Sequence, residues 1–313
     1  MVSFSPIEFC EVASGLLFPE GPVVMADGSI ILVEIARGTL SRATLDGRVE
    51  VVANLGGGPN GAARGPDGAI YVCNNGGFAW HDYEGMLIPG DMAEDYSGGR
   101  IERVELDTGR VDVLYTACNG QPLIGPNDIV FDKAGGFWFT DLGKTHDRLR
   151  DRGALYYAKP DGSLIRECVY PMEMPNGVGL SPDEKTVFVA ETITGRMWGF
   201  PIAEPGQIAG EGHSVLPRSD AFIMGSSILQ FFDSLAVDAE GHVNVATIFN
   251  SGITRISQDG QTITHIPTDD RLTTNICFGG DDMKTAYITL SSSGRLVAAD
   301  WPIAGLMLNY QEV

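Results

Sequence analysis

Six stretches of the chain repeat one order of polar and apolar positions: a polar residue, an apolar run, a turn of Asp, Gly or Pro, and a second apolar run. The first three are P-E-G-P-V-V-M-A-D-G-S-I-I-L-V-E (19–34), P-N-G-A-A-R-G-P-D-G-A-I-Y-V-C-N (59–74) and P-N-D-I-V-F-D-K-A-G-G-F-W-F-T-D (126–141). The others are P-N-G-V-G-L-S-P-D-E-K-T-V-F-V-A-E (175–191), F-D-S-L-A-V-D-A-E-G-H-V-N-V-A-T (232–247) and T-N-I-C-F-G-G-D-D-M-K-T-A-Y-I-T-L (274–290). β-rich runs joined by such turns predict a hairpin in each. Another hairpin follows each one, as in G-T-L-S-R-A-T-L-D-G-R-V-E-V-V (38–52) and R-I-E-R-V-E-L-D-T-G-R-V-D-V-L (100–114). Two hairpins make a four-stranded sheet that buries too little to stand alone, whereas six packed side by side bury a continuous core. The predicted fold is all-β: a six-bladed β-propeller with four-stranded antiparallel blades around a central channel, forming a single domain over residues 1–313.

Each repeat opens on an anchor: Glu20, Asn60, Asn127, Asn176, Asp233 and Asn275, spaced by 40, 67, 49, 57 and 42 residues. The first and last spacings approximate a bare blade. The excess before Asn127 falls in Gly76–Gly99, a glycine-bounded insertion carrying Phe78, Trp80, His81 and Tyr83, with a shorter piece around Cys118–Ile124. Insertions of that length sit on the surface, and this one is expected to roof the channel mouth as a lid. A smaller excess covers Ala203–Ile228.

Composition adds exclusions. The formal net charge of −20 repels a phosphate backbone or an anionic bilayer, so neither nucleic acid nor membrane is expected as a partner. Five scattered cysteines (Cys10, Cys73, Cys118, Cys168, Cys277) contain no C-x-x-C pair, which argues against a disulfide framework or a zinc-thiolate site. Met1–Glu11 has no basic region followed by an apolar run, and no stretch reaches the length of a membrane span. A cytoplasmic protein is expected, as a monomer or a weak homo-oligomer.

Propeller symmetry turns the anchors into a site. If every inner strand begins with its anchor, six Glu, Asp or Asn side chains converge on the axis. Such oxygens suit a hard cation such as Ca²⁺, or Mg²⁺ or Mn²⁺. Buried carboxylates without one would repel each other and carry a large desolvation penalty. The plainer reading is that Asn and Asp merely start strands by forming turns.

The segments F-P-E-G-P, P-N-D-I-V-F-D, P-N-G-V-G-L-S-P-D and D-S-L-A-V-D-A-E-G resemble the signatures of the gluconolactonase and regucalcin (senescence marker protein) family, over roughly residues 8–300. That resemblance implies a six-bladed propeller holding one divalent cation, Ca²⁺ in most members and Zn²⁺, Mn²⁺ or Fe²⁺ in others. It matches Glu20, Asn176 and Asp233 to direct metal ligands, and Asn127 to a residue that ligates the metal or holds water and substrate. Asn60 and Asn275 are left to face the substrate. Two departures stand out: Phe232-Asp233-Ser234 where the family has Pro-Asp-Gly, and Gly125 where many sugar lactonases keep an arginine. The second points toward less hydroxylated lactones.

The implied chemistry is metal-assisted hydrolysis of a small lactone or ester, with Asp233 as general base, nucleophile or ligand alone. The alternatives are a phosphotriesterase-like hydrolase of diisopropyl fluorophosphatase type and a non-catalytic calcium-binding propeller. There is no G-x-S-x-G elbow, and the histidines form no H-x-x-x-H pair. His81 and His146 follow second strands and are placed to line the pocket or to lie on the surface. Trp80, Tyr83 and Phe78 read as an apolar lid, or as pins holding the loop to its blade.

Overall fold

A computed structural model describes residues 6–210 and 218–312; positions 211–217, within the Ala203–Ile228 excess, lie outside the described residues. Six antiparallel sheets make a ring, and no helix occurs among the described residues. Blade 1 runs outward from the axis as Pro19–Val24, Ile30–Glu34, Thr39–Ala43 and Val49–Asn54. Blade 2 is Pro59–Arg64, Ile70–Asn74, Arg100–Val104 and Val111–Tyr115, and blade 3 is Pro126–Phe131, Phe137–Asp141, Gly153–Ala158 and Ile165–Met172. In blade 4, Pro175–Leu180, Thr186–Glu191 and Arg196–Glu204 are followed by Phe222–Gly225 as the fourth strand. Blade 5 is Phe231–Val237, Val243–Ile248, Gly252–Ile256 and Ile263–Pro267. Blade 6 takes Thr273–Gly279, Thr285–Leu290 and Arg295–Asp300 from the end of the chain, and Cys10–Ala13 from its beginning as the outer strand.

The sequence pattern is explained by where each strand lies. Second strands such as Ile30–Glu34, Ile70–Asn74 and Phe137–Asp141 are buried at every position because neighbouring blades cover both faces, so they read as continuous apolar runs. Outer strands such as Val49–Asn54 are largely exposed. Blades interlock through aromatic rings: Tyr71 of blade 2 meets Phe131 of blade 3 edge-on at 5.0 Å, and Phe131 lies 5.2 Å from Phe137.

The turn between the first two strands of every blade is closed by an aspartate. Asp27, Asp67, Asp132, Asp183, Asp238 and Asp282 each accept a backbone N–H from two to four residues ahead, at 2.9–3.2 Å. A carboxylate that imitates a backbone carbonyl in this way fixes the turn locally. These turns lie at the end of the ring away from the anchors. There the C-terminal segment crosses the channel: the Leu306 N–H donates to Val237 O at 2.9 Å, Asn309 Nδ2 to Phe131 O at 3.0 Å and Gln311 Nε2 to Phe278 O at 2.8 Å. An apolar axial cavity of about 170 Å³, lined by Ala62, Ile129, Val178, Leu235 and Ile276, lies between that segment and Asp128.

Candidate functional site

In all six blades the pairing of the first two strands shifts register at the anchor, between Glu20 and Val23, Pro59 and Ala62, Pro126 and Ile129, Pro175 and Val178, Phe232 and Leu235, and Thr273 and Asn275. A bulge re-aims a side chain that would otherwise point into the blade, and here every anchor stands at one. Inner strands then touch backbone to backbone. A Cβ on Gly21 would lie 2.6 Å from Asn60 O, and one on Gly177 would lie 2.7 Å from Asp233 O, so these positions exclude a side chain. Asp128 occupies the equivalent place in blade 3 and Ser234 in blade 5, so a polar side chain stands there where blades 1, 2 and 4 have glycine.

Glu20 is 2% exposed; its Oε2 accepts the Gly21 N–H and Asn275 Nδ2, both at 2.6 Å. Asn176 donates to Thr192 Oγ1 at 3.2 Å and accepts from Ser234 Oγ at 3.3 Å. Asp128 accepts the Val178 N–H at 3.2 Å. Asn60 is buried, and Asn127 Oδ1 is buried with no hydrogen-bond partner. The structure therefore links Glu20 to Asn275, Asn176 to Ser234 beside Asp233, and Asp128 across to the inner strand of blade 4.

Burial, offset in part by Asn275, Gly21 and Thr274, pushes the Glu20 carboxyl up from 4.5 to about 7. Burial and then the charge of Glu20 push Asp128 to about 8. Asp233 is held well above the ordinary carboxylate range by burial, by Glu20 and by Asp128. Among the described residues none of the three forms an ion pair. Three buried carboxyls thus interact in one ring with a buried amide oxygen that lacks a donor, an environment that a cation relieves directly. No cluster of three or more His, Cys, Asp or Glu side chains among the described residues is arranged to hold a metal. The donors available are two anchor carboxylates and the amide oxygens of Asn127 and Asn176. An all-oxygen set of this kind fits a hard cation.

The Gly76–Gly99 insertion forms a hairpin, Phe78–Tyr83 with Met86–Met92. Trp80 packs 5.1 Å from the ring of Phe18, a residue two places before Glu20. Phe78, Trp80, Leu87 and Ile88 join the apolar cluster that holds Phe18, Ile35, Leu55 and Leu272. The root of the hairpin is pinned by Lys144 of blade 3, which is 2% exposed. Its Nζ donates to Asn75 Oδ1 and Gly77 O, both at 2.9 Å, and stands 3.2 Å over the Phe78 ring. Burial lowers this amine to about 6. His81 is exposed and its ring lies along its own hairpin at Gly90, while Tyr83 is 56% exposed at the tip. His146 Nε2 lies 3.4 Å from Asp151 Oδ2. Among the described residues, none of these last three contacts an anchor. Gly125 has no room for a side chain, since its Cβ would fall 2.5 Å from Gly143 O.

Three residues at the site escaped the sequence reading: Asp128, Lys144 and Thr192. Only Asp128 left a signal, as P-N-D where blades 2 and 4 have P-N-G.

Two curated proteins and one solved structure set this geometry in context. Lactonase drp35 of Staphylococcus saprophyticus is 26% identical over 264 residues, covering 82% of this chain and 71% of that protein. Gluconolactonase of Zymomonas mobilis is 24% identical over 311 residues, covering 92% of this chain and 79% of that one. Calcium-binding regucalcin of Agrobacterium tumefaciens superimposes with a TM-score of 0.76 at 17% identity, over 98% of both chains, and so shares the fold. The model of the SMP-30/gluconolactonase/LRE-like region matches residues 18–292, from Phe18 beside the first anchor to Ser292 beyond the last, and the chain belongs to that family.

Proposed function

We propose that this chain hydrolyses a lactone at its axial site with one divalent cation, Ca²⁺ before other hard cations. The observation that carries the reading is the buried, partnerless Asn127 Oδ1 on an anchor of the same ring in which burial raises Glu20 and Asp233. The lactonase and gluconolactonase names of the relatives support the substrate class, and the calcium-binding name of the fold neighbour supports the cation. Glu20, Asn127, Asn176 and Asp233 would hold it. When bound, such a cation supplies electrophilic polarisation of the ester carbonyl and charge for the developing oxyanion.

The remaining work falls to side chains. Asp233 takes the proton of the attacking water as the new C–O bond forms, then returns it to the ring oxygen as the ring C–O bond breaks, giving a hydroxy acid. Asn127 orients water and carbonyl, and Asn60 and Asn275 line the space beside them. The hairpin of Gly76–Gly99 roofs the mouth with Trp80 and keeps it apolar, while His81, His146 and Tyr83 contact substrate only at the rim.

The test is proton release from a lactone panel, with and without chelator, alongside elemental analysis of the purified protein. Chelator-sensitive turnover with one cation per chain is expected. Turnover indifferent to chelation, or none with any lactone, would overturn the proposal.

A further inference from the structure

The mouth is not evenly covered. The aromatic hairpin packs over blade 1 and is rooted between blades 2 and 3, whereas the loops of blades 4 and 5 carry apolar side chains in the open. Ile193 is 48% exposed, Ile228 58%, Leu229 78% and Phe249 53%. They sit on three turns that are tied together. The Ser226 N–H donates to Gly195 O at 2.8 Å, joining the blade 4 turn to the segment entering blade 5. Asn250 Nδ2 donates to Gln230 Oε1 at 2.9 Å, and the Phe231 and Phe249 rings meet edge-on at 5.2 Å, joining that segment to the blade 5 turn.

This patch adjoins the axial site along the chain. Leu229 is four residues before Asp233 on the same stretch of chain, and Ile193 follows Thr192, which accepts from Asn176. Four side chains this exposed present about 400 Å² of surface, within the range of functional patches on a monomer. That is about half of what each partner brings to a stable protein–protein interface. A chain of net charge −20 does not settle on an anionic bilayer. The size therefore suits part of a small molecule whose reacting end lies at the axis.

We infer that Ile193, Ile228, Leu229 and Phe249 form an apolar subsite for the alkyl or acyl chain of a substituted lactone. The assignment rests on the axial site being where the lactone ring binds. A ring at the axis places a substituent of several carbons on the blade 4–5 rim, the side that the hairpin leaves open. Each methylene laid on that rim leaves water, so affinity and kcat/KM rise together with chain length.

The experiment compares γ-butyrolactone, γ-octalactone and γ-dodecalactone with the wild-type chain, the double variant Leu229→Ser/Phe249→Ser and a control, Val113→Ser. Val113 is 53% exposed on the outer strand of blade 2, away from the mouth. For the wild type and the control, kcat/KM should climb with chain length. The dodecalactone-to-butyrolactone ratio should fall by about tenfold or more in the double variant. Calorimetric titration of γ-dodecalactone into chelated protein gives a second readout that needs no turnover, and the double variant should bind it more weakly by a similar factor. Hydrolysis without chain-length dependence, or a ratio that the double variant leaves unchanged, overturns the subsite and leaves the lactonase reading standing. Absence of turnover with length-dependent binding that the double variant loses does the reverse. A wild-type dimer in sedimentation that the double variant dissociates assigns the patch to a second copy and overturns the inference.

Discussion

Replacing Glu20 by Gln should make the chelated protein more stable, although it removes a charged residue from the candidate site. With no cation bound, burial raises this carboxyl from 4.5 to about 7. Below pH 4.5 both the folded and unfolded forms are protonated and the residue has no differential effect. Between those values the unfolded chain releases a proton that the folded chain retains, so stability falls as pH rises. Above pH 7 the folded carboxyl is ionised at a penalty of on the order of 3 kcal/mol, taking 1.36 kcal/mol per unit. Glutamine keeps an oxygen to accept from Gly21 and Asn275 and carries no charge, so it removes that penalty. It also relieves Asp128 and Asp233, both of which the Glu20 charge raises. Urea unfolding followed by tryptophan fluorescence, reporting on buried Trp138 and Trp301, measures the difference. In chelator at pH 8 the variant should gain about 2–3 kcal/mol, at pH 4.5 the gain should shrink toward zero, and in excess Ca²⁺ the order should invert as a ligand is lost. A variant less stable than wild type in chelator at pH 8 would refute the claim that burial loads this carboxyl.

Asp233→Ala should abolish lactone hydrolysis while the far-ultraviolet circular dichroism keeps its β-sheet form, because the ring is held by blade packing; turnover near wild type would remove Asp233 from the mechanism. Chelation should lower the melting temperature and added Ca²⁺ restore it, since a ligand bound only by the native state stabilises it by mass action. Calorimetric scans that do not move in either condition would contradict a bound cation. Gly21→Ala should cost about 3 kcal/mol: its φ of 52° strains any side chain, and the new Cβ would meet Asn60 O and Ala62 N. Equilibrium unfolding within 1 kcal/mol of wild type would show that the inner strands can part.

The repeats were legible because their signals are local: an anchor, an apolar run and an aspartate that closes its own turn within two to four residues. The second strands read as continuous rather than alternating apolar runs because both of their faces are covered, as in Phe137–Asp141. The outer strand of blade 6 was not legible, since nothing in Cys10–Ala13 specifies a partner at Leu296–Ala298. The anchors could be read through symmetry, but the contacts that hold the hairpin beside them could not. Phe18 lies before its repeat begins, and Lys144 joins two blades through Asn75 and Gly77, a contact between positions about seventy apart that no periodicity encodes. Asp128 follows its anchor in P-N-D, and its acceptance of the Val178 N–H is a contact across blades that the repeat does not encode.

The pairing of Cys10 with Ala298 also sets a timetable for the newborn chain. Synthesis runs from the N-terminus at about 5–20 residues per second, and the strand that Cys10–Ala13 needs is made about 290 residues later, so roughly 15–60 s separate the two. Five blades can assemble in that interval, each from neighbours already made, while the sixth waits. The ring is therefore an open arc for most of its synthesis, with the exposed edges of the first and latest blades facing each other across a gap. Six anchors cannot surround an axis until that gap closes, so the newborn chain completes its candidate site last.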